Sequence, residues 1–266
     1  MDTPSPAPAP ARPEVKATEE TVLAIRHWTP TLLSFRCTRP AAFRFTPGHY
    51  TRLGLGAGEQ RVWRPYSLTS APDDDFLEFI AIRVPGGEFS QRLGELKVGD
   101  GIGVDKAAYG FLTVNQLAPG KDLWMLSSGT GLGPFMSILR DPAVWRDFAQ
   151  LILVHGVRHA GELAWRADIE TLPPPAWRPQ AKARLRYLPV VTREPGATIL
   201  ADRIPLLLAD GRLEAAAGCT LSVAESRLMV CGNPELARSL REYLGARGYA
   251  TNRRGVPGQM AFEKYW

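Results

Sequence analysis

The chain has 266 residues, enough for one large domain or two modest ones, and its 45% hydrophobic and 22% charged residues are ordinary for a water-soluble globular protein. Its longest apolar runs, such as Leu151–Val154, are too short to span a bilayer. Three cysteines (Cys37, Cys219, Cys231) exclude a disulfide framework and are one short of the thiolates an ordinary iron–sulfur cluster takes, while a net charge of +5 favours phosphate-bearing ligands or an acidic partner.

Met1–Pro10 (MDTPSPAPAP) has neither the basic n-region nor the apolar h-region of a secretory signal. Residues 1–17 are expected to form an extended Pro/Ala-rich arm without a core of its own. From Thr21 onward the pattern is of short strands between turns: Thr21–Arg26, Leu32–Cys37, Tyr50–Leu55, Phe76–Val84 and Gly101–Val104. One helix interrupts them, Phe89–Leu96, with Phe89, Leu93 and Leu96 on one face. This spacing predicts a small antiparallel β-barrel over residues 18–118.

The rhythm changes near Pro119-Gly120. Leu123–Leu126, Leu151–Val154, Leu185–Val191 and Leu228–Cys231 are continuous apolar runs, as in strands buried on both faces. Helical segments at Pro134–Leu139, Gly161–Glu170, Ile204–Leu208 and Pro234–Leu244 alternate with them. The alternation predicts a doubly wound α/β domain with a parallel sheet over residues 119–266.

Two stretches carry chemistry. Arg64-Pro65-Tyr66-Ser67 ends an extended segment. It sets a cation that can neutralise a phosphate beside a ring that can stack on a planar group and a hydroxyl that can hydrogen-bond to a ring nitrogen. A plain strand with one exposed arginine is the alternative for these residues. Ser127-Ser128-Gly129-Thr130-Gly131-Leu132-Gly133-Pro134 lies between an apolar run and a helix. Glycines there allow a sharp turn and close approach of a phosphate to the helix N-terminus. The spacing matches neither GxGxxG nor a P-loop, so a merely tight turn is the alternative. A second glycine turn, Pro85-Gly86-Gly87-Glu88-Phe89-Ser90, repeats the idea at the end of Ile80-Ala81-Ile82-Arg83. His155 and His159 are four apart but flank Gly156-Val157-Arg158 at a strand end, without the glutamate of a helical zinc motif, and are read as structural.

In this order, Arg64–Ser67, Gly87–Ser90, Gly129–Pro134, Cys231-Gly232-Asn233-Pro234 and a terminal Glu263-Lys264-Tyr265-Trp266 give the chain its resemblance to bacterial ferredoxin (flavodoxin)–NADP⁺ reductases. The likeness runs from about Glu20 to the last residue. It implies FAD on the barrel domain, with Arg64 at a phosphate, Tyr66 on the isoalloxazine and Ser67 near its N5. Pro65, the backbone of Ile80, Ala81, Ile82 and Arg83, and that of Glu88, Phe89 and Ser90 would line the rest. Tyr265 and Trp266 would pack against the cofactor. It implies NADP(H) on the second domain, with Thr130 and Gly131 where the nicotinamide approaches and Cys231 and Gly232 closing the pocket. Arginines following strands, Val157-Arg158, Thr192-Arg193 and Arg203, would grip the 2′-phosphate. Ser67, Cys231 and Glu263 become the candidate catalytic residues, Glu263 as a proton-handling carboxylate.

The implied activity is hydride transfer between NADP(H) and FAD with one-electron exchange to ferredoxin or flavodoxin, docked transiently as an acidic partner. A cytoplasmic monomer without nucleic-acid partner or metal is expected. The competing readings are the reductase component of an oxygenase, an electron-transfer subunit of a larger complex, and a phosphate-binding regulator without flavin.

Overall fold

The computed structural model describes residues 16–264 except 175, 178 and 254, so the expected N-terminal arm up to residue 15 and the terminal pair Tyr265-Trp266 lie outside the described residues. Six strands build the first half: β1 (Ala17–His27), β2 (Leu32–Thr38), β3 (Tyr50–Leu55), β4 (Val62–Ser67), β5 (Phe76–Ile82) and β6 (Gly101–Asp105). Their order is β4-β3-β6-β1-β2-β5, antiparallel throughout. A bridge between Leu68 and Phe79 brings the two edge strands together, so the sheet is a nearly closed barrel. Strand β1 serves two neighbours: Ala17–Thr21 pairs with β6 and Val22–His27 with β2, with a register shift between Val22 and Ala24. A bulge of this kind bends a strand from one partner to the next.

Inside the barrel, Val22, Leu33, Phe35, Leu53, Leu77, Phe79, Ile102 and Val104 form a dry core. Helix α1 (Glu88–Glu95) adds Phe89 and Leu93 to it, an i,i+4 pair from the amphipathic spacing in the sequence. Burying each of those side chains contributes roughly 1.5–3 kcal/mol.

The second half is a five-stranded parallel sheet of β7 (Asp122–Ser128), β8 (Gln150–Val157), β9 (Arg184–Val191), β10 (Ser226–Gly232) and β11 (Met260–Lys264), in the order β11-β10-β7-β8-β9. Alternate residues of β7 face opposite layers. Leu123 and Met125 pack with α2 (Gly133–Leu139), α3 (Pro142–Asp147) and α4 (Arg166–Glu170). Trp124 and Leu126 pack with α5 (Ile204–Ala209), α6 (Arg212–Ala217) and α7 (Pro234–Ala246).

Several elements differ from the sequence expectation. The helix expected over Gly161–Glu170 is split, because Trp165 takes a left-handed φ of +52° and only Arg166–Glu170 is helical. The strand expected to reach Val84 stops at Ile82. Short helices α3 and α6 and strand β11 are additional.

The two halves meet along a polar seam. The N-terminal end of α2 touches the barrel: a Cβ on Gly133 would lie 3.2 Å from Ile80 and 3.4 Å from Thr69. One turn farther along, Ser137 Oγ donates to the Ser70 carbonyl at 2.8 Å, and at the C-terminal end of α2 Arg140 Nη1 donates to the Thr69 carbonyl at 2.7 Å. Arg140 also meets buried Glu78 at 2.5 Å, whose other oxygen takes Arg36 Nε at 2.8 Å, and Thr69 Oγ1 donates to Glu78 at 3.1 Å. On the flank, Trp28 of the barrel packs edge-on against Trp165, ring centres 5.5 Å apart.

Burial alone would raise the Glu78 carboxyl, but the guanidinium groups of Arg140 and Arg36 outweigh it and hold it below the usual carboxylate range. A depressed carboxylate stabilises the fold above its unfolded pKa, and that stabilisation fades as pH falls through the folded value. Glu78→Gln is therefore expected to cost about 2–4 kcal/mol at pH 7 by stranding two arginines. Urea unfolding of the two proteins at neutral pH and at progressively acidic pH checks this: the difference should shrink as the wild-type carboxylate is protonated.

Candidate active site

In a sheet of this order the strand sequence reverses between β7 and β10, and the crevice outside their carboxyl ends is where such sheets bind ligands. Strand β7 runs into a tight turn, Gly129–Leu132, which feeds α2 with Pro134 in its first turn. Strand β10 ends at Gly232, where φ is +130°, and Asn233 caps α7 by accepting from the Glu235 N–H at 2.7 Å. The two loops cross in contact. A Cβ on Gly131 would stand 2.3 Å from the Cys231 carbonyl oxygen, and one on Gly232 would stand 2.4 Å from Ser128 Oγ. Both positions require glycine because the obstacle is largely backbone. Ser128 Oγ ties the crossing by accepting from the Asn233 N–H at 2.9 Å. Thr130 and Cys231 are buried at this point.

Beside the crossing the barrel delivers Ser67. Its hydroxyl donates to Glu263 Oε1 at 3.1 Å, joining the end of β4 to β11. Glu263 lies opposite Cys231 in the β10–β11 register. Of the sequence-derived catalytic candidates, Ser67, Cys231 and Glu263 are thus brought together from both halves of the chain. Gly110, at φ +122°, adds a wall: a Cβ there would sit 3.3 Å from the Tyr50 ring and 3.4 Å from Glu263 Oε2. Tyr50 and Gly110 carried no signal in the sequence pattern, since each depends on a loop packing back from a distant strand.

The remaining candidates spread outward. Arg64 and Pro65 are exposed on β4, and Arg64 Nη1 donates to the Trp63 carbonyl at 2.8 Å. The Tyr66 ring is half-buried with its centre 5.3 Å from that of Phe89, and burial pushes its phenol up to about 12. Phe89 faces the barrel core, so of the Glu88–Ser90 segment its backbone is what a ligand can reach. Ser90 Oγ accepts from the Val84 N–H at 3.0 Å, closing a turn through Gly86 and Gly87. A cavity of about 350 Å³ opens over this turn, lined by Thr31, Arg83, Val84, Gly87, Ser90 and Gln91. Ile80 and Ala81 are buried in β5, Ile82 half-buried and Arg83 exposed.

The arginines divide. Arg158 and Arg193 follow adjacent strands, the Arg193 N–H donating to the Arg158 carbonyl at 2.9 Å, while Thr192 Oγ1 donates to the Val157 carbonyl at 3.1 Å. Arg203 precedes α5 and pairs with Glu235 at 3.7 Å instead. All three are exposed.

The family model for the oxidoreductase FAD-binding domain matches residues 23–111, and that for the oxidoreductase NAD-binding domain matches residues 125–242. Ferredoxin–NADP reductase A of Sorangium cellulosum is 38% identical over 250 residues, covering 93% of this chain and 89% of that relative. The flavodoxin/ferredoxin–NADP reductase of Escherichia coli K12 is 36% identical over 246 residues, covering 92% and 97%. The chain belongs to the ferredoxin–NADP reductase family. Among solved structures, a ferredoxin–NADP⁺ reductase from Neisseria gonorrhoeae with bound FAD and NADP superposes with a TM-score of 0.87 at 36% identity, covering 95% of this chain and all of that one. The two-domain reductase architecture accounts for the seam: each domain model covers one half, and the site lies where they meet.

Within this reductase fold Glu263 is set apart by its surroundings. Burial pushes its carboxyl up to about 7, only partly offset by the Ser67 hydrogen bond. A raised carboxylate means the folded chain holds a proton that the unfolded chain releases between the ordinary value and 7, so this group makes stability decline as pH rises across that window. Difference infrared spectroscopy should show one protonated-carboxyl band titrating near pH 7 that Glu263→Gln removes.

Proposed function

We propose that the chain is a ferredoxin/flavodoxin–NADP⁺ reductase, an FAD enzyme that passes electrons between NADP(H) and a one-electron protein carrier. The observation that carries this reading is the convergence of Ser67 from the barrel with Cys231 and Glu263 from the sheet at the glycine crossing. Bound FAD supplies the conversion between a hydride and two single electrons. The residues present suit it: Arg64 offers an exposed cation for a phosphate, Tyr66 a ring face, and the cavity at Gly87–Ser90 room for a pyrophosphate with N–H groups at the start of α1. Ile80–Arg83, Thr130, and Tyr265 and Trp266 beyond the described residues complete the proposed FAD contacts. Residues 18–118 and 119–266 are the proposed domains.

Each side chain then has a task. Ser67 and Glu263 hold a proton-bearing hydrogen bond at the seam, so a proton is at hand near neutral pH without an exposed acid. Cys231, fully buried, closes the crevice as a small apolar wall rather than as a nucleophile, and Thr130, Gly131 and Gly232 leave room for a planar ring. The crevice, walled by buried Thr130 and Cys231, would orient the reactants and limit the access of water, which is most of what such transfer needs. Val157-Arg158, Thr192-Arg193 and Arg203 form the proposed 2′-phosphate grip, Arg203 exchanging Glu235 for the ligand. The cysteines lie in the barrel core (Cys37), near Asp122 (Cys219) and at the crevice (Cys231), so an iron–sulfur centre is assigned to a separate carrier. That carrier is proposed to be acidic and to dock transiently on a basic monomer in the cytoplasm. Among the described residues no helix is long and apolar enough to cross a membrane.

Stopped-flow mixing of the oxidised protein with excess NADPH should bleach the flavin absorbance, and absence of bleaching would contradict the assignment. Arg158→Ala and Arg193→Ala should each raise KM for NADPH by roughly 10-fold or more, the loss of a charge-assisted contact, with little effect on NADH.

A further inference from the structure

His155 is one of the most completely buried polar residues in the chain, at 1% exposure, and nothing in the proposed reaction uses it. It lies on β8 opposite Ser127 of β7, directly under the start of the glycine turn. Its Nε2 is 3.2 Å from the carbonyl oxygen of Gly129. A carbonyl can only accept, so Nε2 carries the proton and the neutral ring leaves Nδ1 as a bare acceptor. Nδ1 is buried and makes no hydrogen bond among the described residues. Burial keeps the ring uncharged down to about pH 4.

Gly129 is exposed, has φ +55°, and a Cβ there would meet nothing within 4 Å among the described residues, so no neighbour crowds it on that side. Glycine moves between such states at little steric cost. In a trans peptide the carbonyl and the following N–H point to opposite sides. Fixing the Gly129 oxygen toward β8 therefore fixes the Thr130 N–H away from it, among the unpaired donors of the first turn. A flip of this peptide would turn a carbonyl oxygen outward where an anionic dinucleotide needs N–H groups.

We propose that His155 is a positioning residue: its Nε2–H pins the Gly129–Thr130 peptide so that the turn presents donors to the nicotinamide nucleotide. The inference rests on the assignment of the Gly129–Gly133 turn to that nucleotide. A buried neutral imidazole suits the task because it reaches across from the neighbouring strand and keeps one donor across the physiological pH range.

Two variants and one spectrum test it on the flavin-loaded protein. His155→Gln keeps an N–H donor near the Nε2 position, whereas His155→Leu removes it. His155→Leu is expected to raise Kd for NADP⁺ and KM for NADPH by roughly 3- to 10-fold, the worth of one neutral hydrogen bond, with flavin content unchanged. Its kcat at saturating NADPH should stay within about twofold, and His155→Gln should restore most of the affinity. Equal NADP⁺ affinity in His155→Leu and wild type would overturn the proposal, as would an equal loss in both variants. In the wild-type protein, ¹⁵N shifts must give the Nε2–H tautomer; an Nδ1–H tautomer would overturn the proposal even if His155→Leu failed to fold. Failure of wild-type protein to bind NADP⁺ would instead remove the site assignment on which the inference stands.

Discussion

The attachment of α2 to the barrel rim is the constraint on which the site depends. Arg140 reaches back to Thr69 and Glu78, Ser137 to Ser70, and Gly133 lets the first turn of α2 lie against Ile80 and Thr69. Without that seat the hydrogen bond between Ser67 and Glu263, 196 residues apart in the chain, would have no fixed length. The seam is thus both a stabilising interface and the frame of the crevice. A buried ion pair is an uncertain source of stability but a strict arbiter of geometry, since either partner alone is costly.

Two carboxylates at this seam, Glu78 buried and Glu263 half-buried, show how surroundings set chemistry. Glu78 faces two guanidinium groups and a hydroxyl and stays ionised, serving as a fixed anchor. Glu263 faces a hydroxyl rather than a cation and is pushed up to about 7, where a proton can be held or released. One holds the domains and the other suits proton handling, though both are glutamates of the same intrinsic acidity. The glycine crossing works alongside them: Gly131 and Gly232 let the ends of β7 and β10 come so close that a side chain at either position would run into the opposite segment.

Much of this was legible in the sequence because it is local. Leu123–Leu126 and Leu228–Cys231 read as doubly buried strands since both faces of the sheet are covered by helices. Phe89 and Leu93 announced α1 by their spacing. Strand β11 was missed because Met260–Lys264 lacks β-branched residues and forms only by pairing in parallel with β10. The break at Trp165 was missed because a left-handed backbone at a non-glycine residue leaves no mark in the spacing, and its ring packs against Trp28 of the barrel, a long-range contact. Helix α3 was missed: Asp141 caps it by accepting from the Ala143 N–H and Pro142 lies in its first turn, but six residues leave too short a period to read. The triad of Ser67, Cys231 and Glu263 followed from family resemblance. Its neighbours Tyr50 and Gly110, and His155 beneath the Gly129 turn, did not, because each acts through a tertiary contact that no spacing encodes.

The central claim is that this seam joins a flavin to NADP(H) rather than to NAD(H). Ferredoxin reduction by the purified protein, driven by NADPH and by NADH side by side after heat release has identified the bound flavin, tests it most directly. The account predicts FAD and a marked preference for NADPH in kcat/KM. A different flavin, no flavin, or a preference for NADH would contradict it.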